Sequence, residues 1–205
     1  TIQTPNLDRM AKEGMIFTNH YAGSTVCAPS RCCLMTGLHT GHAYIRGNDR
    51  IALRPEDVTV AELMKQAGYA TGIIGKWGLG PPGSEGDPNK QGFDLFFGYN
   101  CQRMAHNYYP TYLWENDKRV SLNNPDFSSP QKFPADADPN DPAAYKRYQG
   151  NDYAPDLMVA RGLEFIRANR ARPFFLYCCP TDPHRTAKGV ANGKGFPGSK
   201  EETFD

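Results

Sequence analysis

The order of helices and strands constrains the fold of this chain most strongly. The capping-box sequence Thr59–Glu62 opens a helix that ends at Gly68, and an apolar strand follows over Tyr69–Gly75. Pro155 opens a second, longer helix, and the continuous apolar run Phe174–Cys179 follows it. Unbroken apolar runs are typical of strands that are covered on both faces. A helix followed by such a strand, twice over, predicts an α/β sandwich with a mostly parallel central sheet.

The N-terminal segment predicts one more pair of elements. Thr4 can cap a helix that has Pro5 at its first position and ends at Gly14. Met15–Phe17 then predicts a short buried strand.

Length and charge exclude several classes of protein. The 205 residues suffice for one domain with a sizeable core. Lys and Arg number 23 and Asp and Glu 22, so the net charge of +1 predicts neither a nucleic-acid partner nor an anionic membrane surface. No apolar run approaches membrane-spanning length.

The six cysteines lack the spacing of a structural zinc site. Two adjacent pairs, Cys32–Cys33 and Cys178–Cys179, lie in apolar surroundings. We therefore expect these four to be small buried hydrophobic residues.

The segment that begins at Cys27 carries the strongest chemical signal. Pro29 suits the first position of a helix, which places Cys27 just ahead of the helix N-terminus, where the helix dipole favours negative charge. Arg31 follows about one turn later and carries a planar fork of donors. A nucleophile beside a helix start and a guanidinium predicts a site for a tetrahedral anion. The ordinary alternative is a buried structural cysteine near a helix cap.

Two further polar residues follow predicted strands. Lys76 comes directly after the strand Tyr69–Gly75, and His184 follows Phe174–Cys179. In open α/β sheets the ligand crevice lies beyond the carboxyl ends of the strands, so we expect both residues near Cys27. Taken singly, a lysine at a strand end is usually a solvated charge, and a histidine in a proline-rich loop is usually structural.

These segments together resemble the sulfatases. The signature of that family is Cys, any residue, Pro, Ser, Arg, three residues, then Leu or Met before Thr-Gly, and Cys27–Gly37 has this pattern. The other blocks that resemble the family are Thr4–Gly14, Gly75–Gly80, Gly92–Asp94, Phe97–Tyr99 and Pro183–His184. Through His39–His42 and Arg46–Asn48 the chain looks most similar to bacterial relatives of arylsulfatase A and N-acetylgalactosamine-6-sulfatase.

The resemblance implies an alkaline phosphatase-like α/β sandwich, incomplete at both ends, with residues 1–205 forming part of an N-terminal catalytic domain. It implies hydrolysis of sulfate esters, either aryl or carbohydrate sulfates. The nucleophile would be formylglycine, made from Cys27 by a formylglycine-generating enzyme. A divalent cation, Ca²⁺ or Mg²⁺, would be bound by the modified residue 27 together with ligands outside this chain. The periplasm or the extracellular space is the expected location.

The resemblance also implies a role for each site residue. Arg31 would hold the hydrated aldehyde at position 27, and Lys76 would bridge it to the sulfate. His184 would bind the ester oxygen and protonate the leaving group.

One position departs from the family pattern. The family usually has histidine at the position of Gly78, and glycine has no imidazole to offer. His106 is the candidate for a substitute that binds substrate, with packing among tyrosines as an equal alternative. Tyr108, Tyr109, Tyr112 and Trp114 are equally compatible with stacking on a substrate ring and with core packing. Residues 123–150 predict an irregular insertion.

Two other functions remain open at this point. The first is a phosphodiesterase or phosphonate hydrolase of the alkaline phosphatase superfamily, because phosphate and sulfate are both tetrahedral anions. The second is a catalytically inactive, sulfatase-like binding module, which Gly78 and the missing cation ligands suggest. The expected partner is a sulfated small molecule or glycan.

Overall fold

The computed structural model describes residues 3–126, 134, 136–138 and 140–181. The predicted site residue His184 and part of the predicted insertion lie outside the described residues. The helices are α1 (Pro5–Glu13), α2 (Cys27–Thr36), α3 (Val60–Gln66) and α4 (Ala154–Asn169), with short 3₁₀ turns at Met104–His106 and Pro142–Tyr148. The strands are β1 (Ala70–Lys76), β2 (Leu95–Tyr99), β3 (Tyr112–Glu115), β4 (Lys118–Ser121) and β5 (Phe174–Cys179).

The five strands form one sheet in the order β4-β3-β2-β1-β5. The strand β1 pairs in parallel with β2 on one side and with β5 on the other. The strands β3 and β4 form an antiparallel hairpin that extends the sheet beyond β2. The predicted mostly parallel sheet is confirmed, and the hairpin is an addition that the sequence did not predict.

Helices cover both faces of the sheet. On one face α2 and α3 pack over a core that includes Ile73, Trp77 and Phe96. On the other face α4 packs through Met158 over residues that include Ile74. Because successive strand residues point to opposite faces, Ile73 and Ile74 enter different layers. The protein is an α/β sandwich, as predicted.

The helix α3 begins, and the strand β1 ends, close to the predicted positions. The Thr59 side chain accepts from the Glu62 backbone N–H, and the Glu62 carboxylate accepts from the Thr59 N–H, so the capping box is confirmed. The strand β1 extends one residue beyond its predicted end, so Lys76 is the last residue of the strand rather than the first residue after it.

Two predictions about burial are wrong. Residues 15–17 form no strand, and Met15 and Phe17 are 76% and 74% exposed, because no described strand offers them backbone partners. Cys178 is exposed, whereas Cys32, Cys33 and Cys179 are buried as predicted. Alternation along β5 explains this difference, since Cys178 and Cys179 lie on opposite faces.

The aromatic residues that follow β2 form two groups, which differ in their burial. Tyr108 and Tyr109 are buried and pack with Tyr153, so the core-packing interpretation is correct for them. Tyr112 and Trp114 are half-buried on β3, with the guanidinium of Arg119 over both rings at 4.5 and 5.2 Å. Among the residues that the structure describes, no helix is long and apolar enough to cross a membrane.

Candidate active site

Cys27 is the first residue of α2 and lies half-buried, with a free thiol, in the wall of a pocket. The preceding residue, Val26, is extended and caps the helix with no side-chain hydrogen bond. Instead Asn48, from a distant loop, accepts the Ala28 N–H at 2.9 Å. Pro29 has no N–H, so two of the donors that usually make a helix start attractive to anions are absent or occupied. The anion-binding capacity of this pocket therefore depends on side chains more than on the helix start.

Arg31 lies one turn into α2 and reaches the end of the sheet. Its Nη1 donates to the backbone carbonyl oxygen of Lys76 at 2.5 Å and to the hydroxyl oxygen of Tyr177 at 3.2 Å. These contacts connect α2 to β1 and β5 and hold the guanidinium at the pocket wall.

Lys76 places an ammonium group inside the protein. Its residue is 4% exposed, at the end of a strand that is buried over its whole length. Burial lowers the pKa of Lys76, interaction with Cys27 opposes that shift, and the nearby positive charge of Arg31 lowers the pKa further. A buried cation beside a second cation is costly unless an anion joins them. This arrangement favours a bound anion in the pocket.

Nine of the described residues line the pocket, which has a volume of about 310 Å³. They comprise three charged or nucleophilic side chains, three hydroxyl side chains, two aliphatic side chains and one tyrosine: Cys27, Arg31, Lys76, Ser24, Thr25, Ser30, Val26, Leu34 and Tyr177. The two cations and the nucleophile thus line the same pocket, together with apolar and hydroxyl groups.

Three of the predicted site residues, Cys27, Arg31 and Lys76, come together at this pocket. His106 is half-buried in the 3₁₀ turn after β2 and is not among the described residues that line the pocket. His184 lies outside the described residues, so its role remains a prediction.

The backbone conformation at position 78 favours glycine. Gly78 has a φ of +79°, and a Cβ there would lie 3.0 Å from the Cβ of Gln102. Its N–H also donates to the carbonyl oxygen of Asn100 at 3.1 Å, which holds the backbone in place. A histidine at this position would therefore be strained in the present backbone conformation.

Sequence reasoning missed Tyr177 and Asn48. Tyr177 lies within an apolar run that predicts only a buried strand, although alternation along the strand could have shown that it shares a face with Cys179. Asn48 belongs to a loop whose contact with α2 depends on the tertiary fold.

No described group of three or more His, Cys, Asp or Glu side chains could hold a metal ion. Hard cations such as Ca²⁺ take six to eight oxygen ligands. The described residues around Cys27 therefore do not fit a divalent cation by themselves.

The sequence profile of the sulfatase family matches residues 1–204. The chain belongs to this family. It is 35% identical over 196 residues to an N-acetylgalactosamine-6-sulfatase of Sus scrofa, a match that covers 85% of this chain and 34% of the relative. It is also 35% identical over 178 residues to an arylsulfatase of Hemicentrotus pulcherrimus, covering 83% of this chain and 31% of the relative. The chain thus spans about a third of the length of the curated relatives that it matches.

A solved structure supports the same relationship. The chain is similar, with a TM-score of 0.63 and 30% identity, to a protein whose structure was solved in complex with its substrate D-glucosamine-2-N,6-O-disulfate. The match covers 90% of this chain and 30% of that chain. The α/β sandwich described above is therefore the sulfatase fold over the part that the chain spans.

Proposed function

We propose that the protein hydrolyses sulfate esters and that Cys27, converted to formylglycine, supplies the nucleophile. One observation carries this proposal: the nucleophile position, Arg31 and the buried Lys76 share a single pocket. Membership of the sulfatase family supports it independently.

The two cations have different main tasks in this mechanism, although both would face the sulfate group in the pocket. Lys76 lies next to residue 27 and bears a charge that burial leaves poorly solvated, so a sulfate oxygen is its natural partner. Arg31 is anchored on β1 and β5 and can orient the group at position 27 with its remaining donors. Charge that develops on the sulfate oxygens during reaction would meet two preorganised cations in a partly desolvated pocket.

Formylglycine at position 27 would supply a hydrated aldehyde with two hydroxyl groups, and the oxygen of one would form a bond to sulfur while the bond from sulfur to the ester oxygen breaks. The second hydroxyl would then lose its proton, the aldehyde would re-form as sulfate leaves, and water would restore the hydrate. The departing alkoxide or phenoxide needs a proton, and we assign this role to His184 on the family resemblance.

A sulfated carbohydrate is the substrate that we propose. The support comes from two relatives, one named for the 6-sulfate of N-acetylgalactosamine and one solved with a glucosamine disulfate. An aryl sulfate is the alternative, because another relative is named an arylsulfatase. The proposed location remains the periplasm or the extracellular space.

The test uses the full-length protein, co-expressed with a formylglycine-generating enzyme. Peptide mass spectrometry should show that residue 27 has lost its sulfur and gained an aldehyde oxygen. The purified protein should release sulfate from N-acetylgalactosamine 6-sulfate or glucosamine 6-sulfate faster than from 4-nitrophenyl sulfate.

Cys27→Ala should abolish this release, whereas Cys101→Ala, which changes an exposed cysteine outside the pocket, should leave it unchanged. Sulfate release by a protein with unmodified Cys27 would refute the formylglycine route. Hydrolysis of phosphate diesters or phosphonates without sulfate release would instead support the phosphohydrolase alternative. Binding of sulfated sugars with no turnover of any ester would support the inactive binding module.

A further inference from the structure

Tyr177 and Cys179 form a small polar cluster on β5, to which the proposed mechanism gives no role beyond the contact of Tyr177 with Arg31. They are two residues apart on one strand and therefore point to the same face, toward α2. The Tyr177 hydroxyl oxygen accepts from Nη1 of Arg31 at 3.2 Å. The Cys179 thiol donates to the carbonyl oxygen of Lys76 at 3.1 Å, the same oxygen that accepts from Arg31.

The Tyr177 hydroxyl of this cluster, together with the carbonyl oxygen of Lys76, restricts Arg31 at one nitrogen of its guanidinium, Nη1. An arginine side chain has several rotatable bonds, and fixing it costs rotamer entropy unless its donors are engaged. The carbonyl oxygen of Lys76 and the Tyr177 hydroxyl engage one end of the guanidinium fork. The rest of the fork is then set at a defined angle to the pocket that Tyr177 and Arg31 both line.

The phenol keeps its proton under ordinary conditions. Burial raises the pKa of Tyr177 to about 12, with Cys179 adding to the increase and Arg31 opposing it. A neutral phenol oxygen can accept from Arg31 without neutralising its positive charge. Arg31 therefore keeps its full charge for an anion in the pocket.

We propose that Tyr177 is a positioning residue, which fixes the guanidinium of Arg31 so that it meets the sulfate group in the pocket. The inference rests on the proposed function for its substrate, since the anion is the sulfate of the ester. Direct contact between the phenol and the substrate is the competing explanation, because Tyr177 also lines the pocket.

A double-mutant cycle on the full-length protein separates these explanations. The variants are Tyr177→Phe, Arg31→Lys and the double variant, and the measured quantity is kcat/KM for the best sulfate ester. Loss of one hydrogen bond to a charged donor should lower kcat/KM about tenfold in Tyr177→Phe. Since lysine has no fork to be positioned, Tyr177→Phe should change kcat/KM less than about twofold in the Arg31→Lys background.

Tyr145→Phe is the matched control, because Tyr145 is also half-buried but lies outside the pocket. This variant should leave kcat/KM unchanged. An equal loss of activity from Tyr177→Phe in both backgrounds would show that the phenol acts on the substrate or on stability, and would overturn the proposal. An unchanged kcat/KM in Tyr177→Phe would overturn it as well.

A binding measurement distinguishes failure of this inference from failure of the proposed function. The probe is inorganic sulfate, titrated by calorimetry into full-length protein in which Cys27 is unmodified. Tyr177→Phe should weaken sulfate binding in the Arg31 background and leave it unchanged in the Arg31→Lys background. If this coupling is found in a protein that hydrolyses no sulfate ester, the positioning role stands and the proposed function fails.

Discussion

Both the sequence and the structure place Lys76 in the candidate active site, but for different reasons. In the sequence it stands out because it follows an apolar strand, where a ligand crevice is expected. In the structure it is buried beside Cys27 and Arg31, and burial lowers its pKa. An ammonium group held in this way contributes most to catalysis when negative charge develops on the substrate in the transition state.

We therefore expect Lys76→Ala to lower kcat for sulfate esters by about 100-fold, as for other preorganised electrostatic groups. Steady-state kinetics of the full-length protein would measure it. Lys90→Ala is the control, because Lys90 forms an exposed ion pair with Glu85 at 2.7 Å and should leave kcat unchanged. A raised KM with an unchanged kcat would show that Lys76 contributes only to binding of the ground state.

The sequence predicts the site residues that lie in a distinctive local motif. It misses those whose contacts come from distant parts of the chain. Cys27 and Arg31 lie in one short motif, so their proximity follows from helix geometry. Tyr177 reaches Arg31 from a strand 146 residues away. No local pattern reports such a contact.

The elements of the sheet differ in how well the sequence predicts them. The strands β1 and β5 have seven and six residues, most of them apolar, after well-marked helices, and both are confirmed. The strands β3 and β4 have four residues each and carry polar and charged side chains. Runs this short and this mixed resemble loops, and pairing with β2 decides their conformation.

The close approach of β1 to its neighbours depends on glycine. Gly75 has a φ of +118°, and a Cβ there would lie 2.0 Å from the carbonyl oxygen of Cys179 on β5. We expect Gly75→Ala to reduce the free energy of unfolding by about 3 kcal/mol or more, because the strands must separate to admit the methyl group. Chemical denaturation monitored by circular dichroism would measure it.

Gly68→Ala provides the comparison, since Gly68 also has a positive φ, of +85°, but a methyl group there would meet no atom of the described residues within 4 Å. It should cost only about 1–2 kcal/mol, the strain of the backbone alone. Equal effects of the two substitutions would contradict the steric argument.

The turn before α3 carries a pH-dependent contribution to stability. The Asp57 carboxylate is buried and accepts from the Arg54 backbone N–H at 2.8 Å and from the Arg54 guanidinium. Hydrogen bonding to Arg54 lowers the pKa of Asp57, although burial opposes the shift. The carboxylate therefore contributes stability above its unfolded pKa of about 3.9, and that stability is lost as pH falls through the lower folded value.

Asp57→Asn should lower Tm by about 2–4 °C at pH 7, and the difference from the wild type should shrink as pH falls below about 4. Thermal melts across that range would measure it. Asp117→Asn, which changes an exposed carboxylate in the β3–β4 turn, should leave Tm unchanged at every pH. A difference for Asp57→Asn that is constant from pH 7 to pH 3 would show that ionisation is not involved.

At the scale of the molecule, the sandwich and the position of Lys76 at the end of a central strand were predictable, because both follow from the order of elements. The predicted strand at residues 15–17 was not found, because an apolar triplet forms a strand only where a neighbour accepts its hydrogen bonds. The outcome is a short segment with several exposed apolar side chains, which are those of Met15, Ile16, Phe17 and Tyr21. Such stretches are typical of surfaces that bind other apolar groups.

The 205-residue chain by itself should therefore bind the dye ANS in its folded state. The double substitution Ile16→Ser and Phe17→Ser should reduce ANS fluorescence by roughly half while Tm stays unchanged, because neither side chain is buried. Ile73→Ser is the contrasting variant, since Ile73 is fully buried in the core and its substitution should lower Tm and increase ANS binding. Unchanged fluorescence in the double variant would place the apolar surface elsewhere, and the outer face of α4, with Val159 and Leu163 exposed, would be the next segment to substitute.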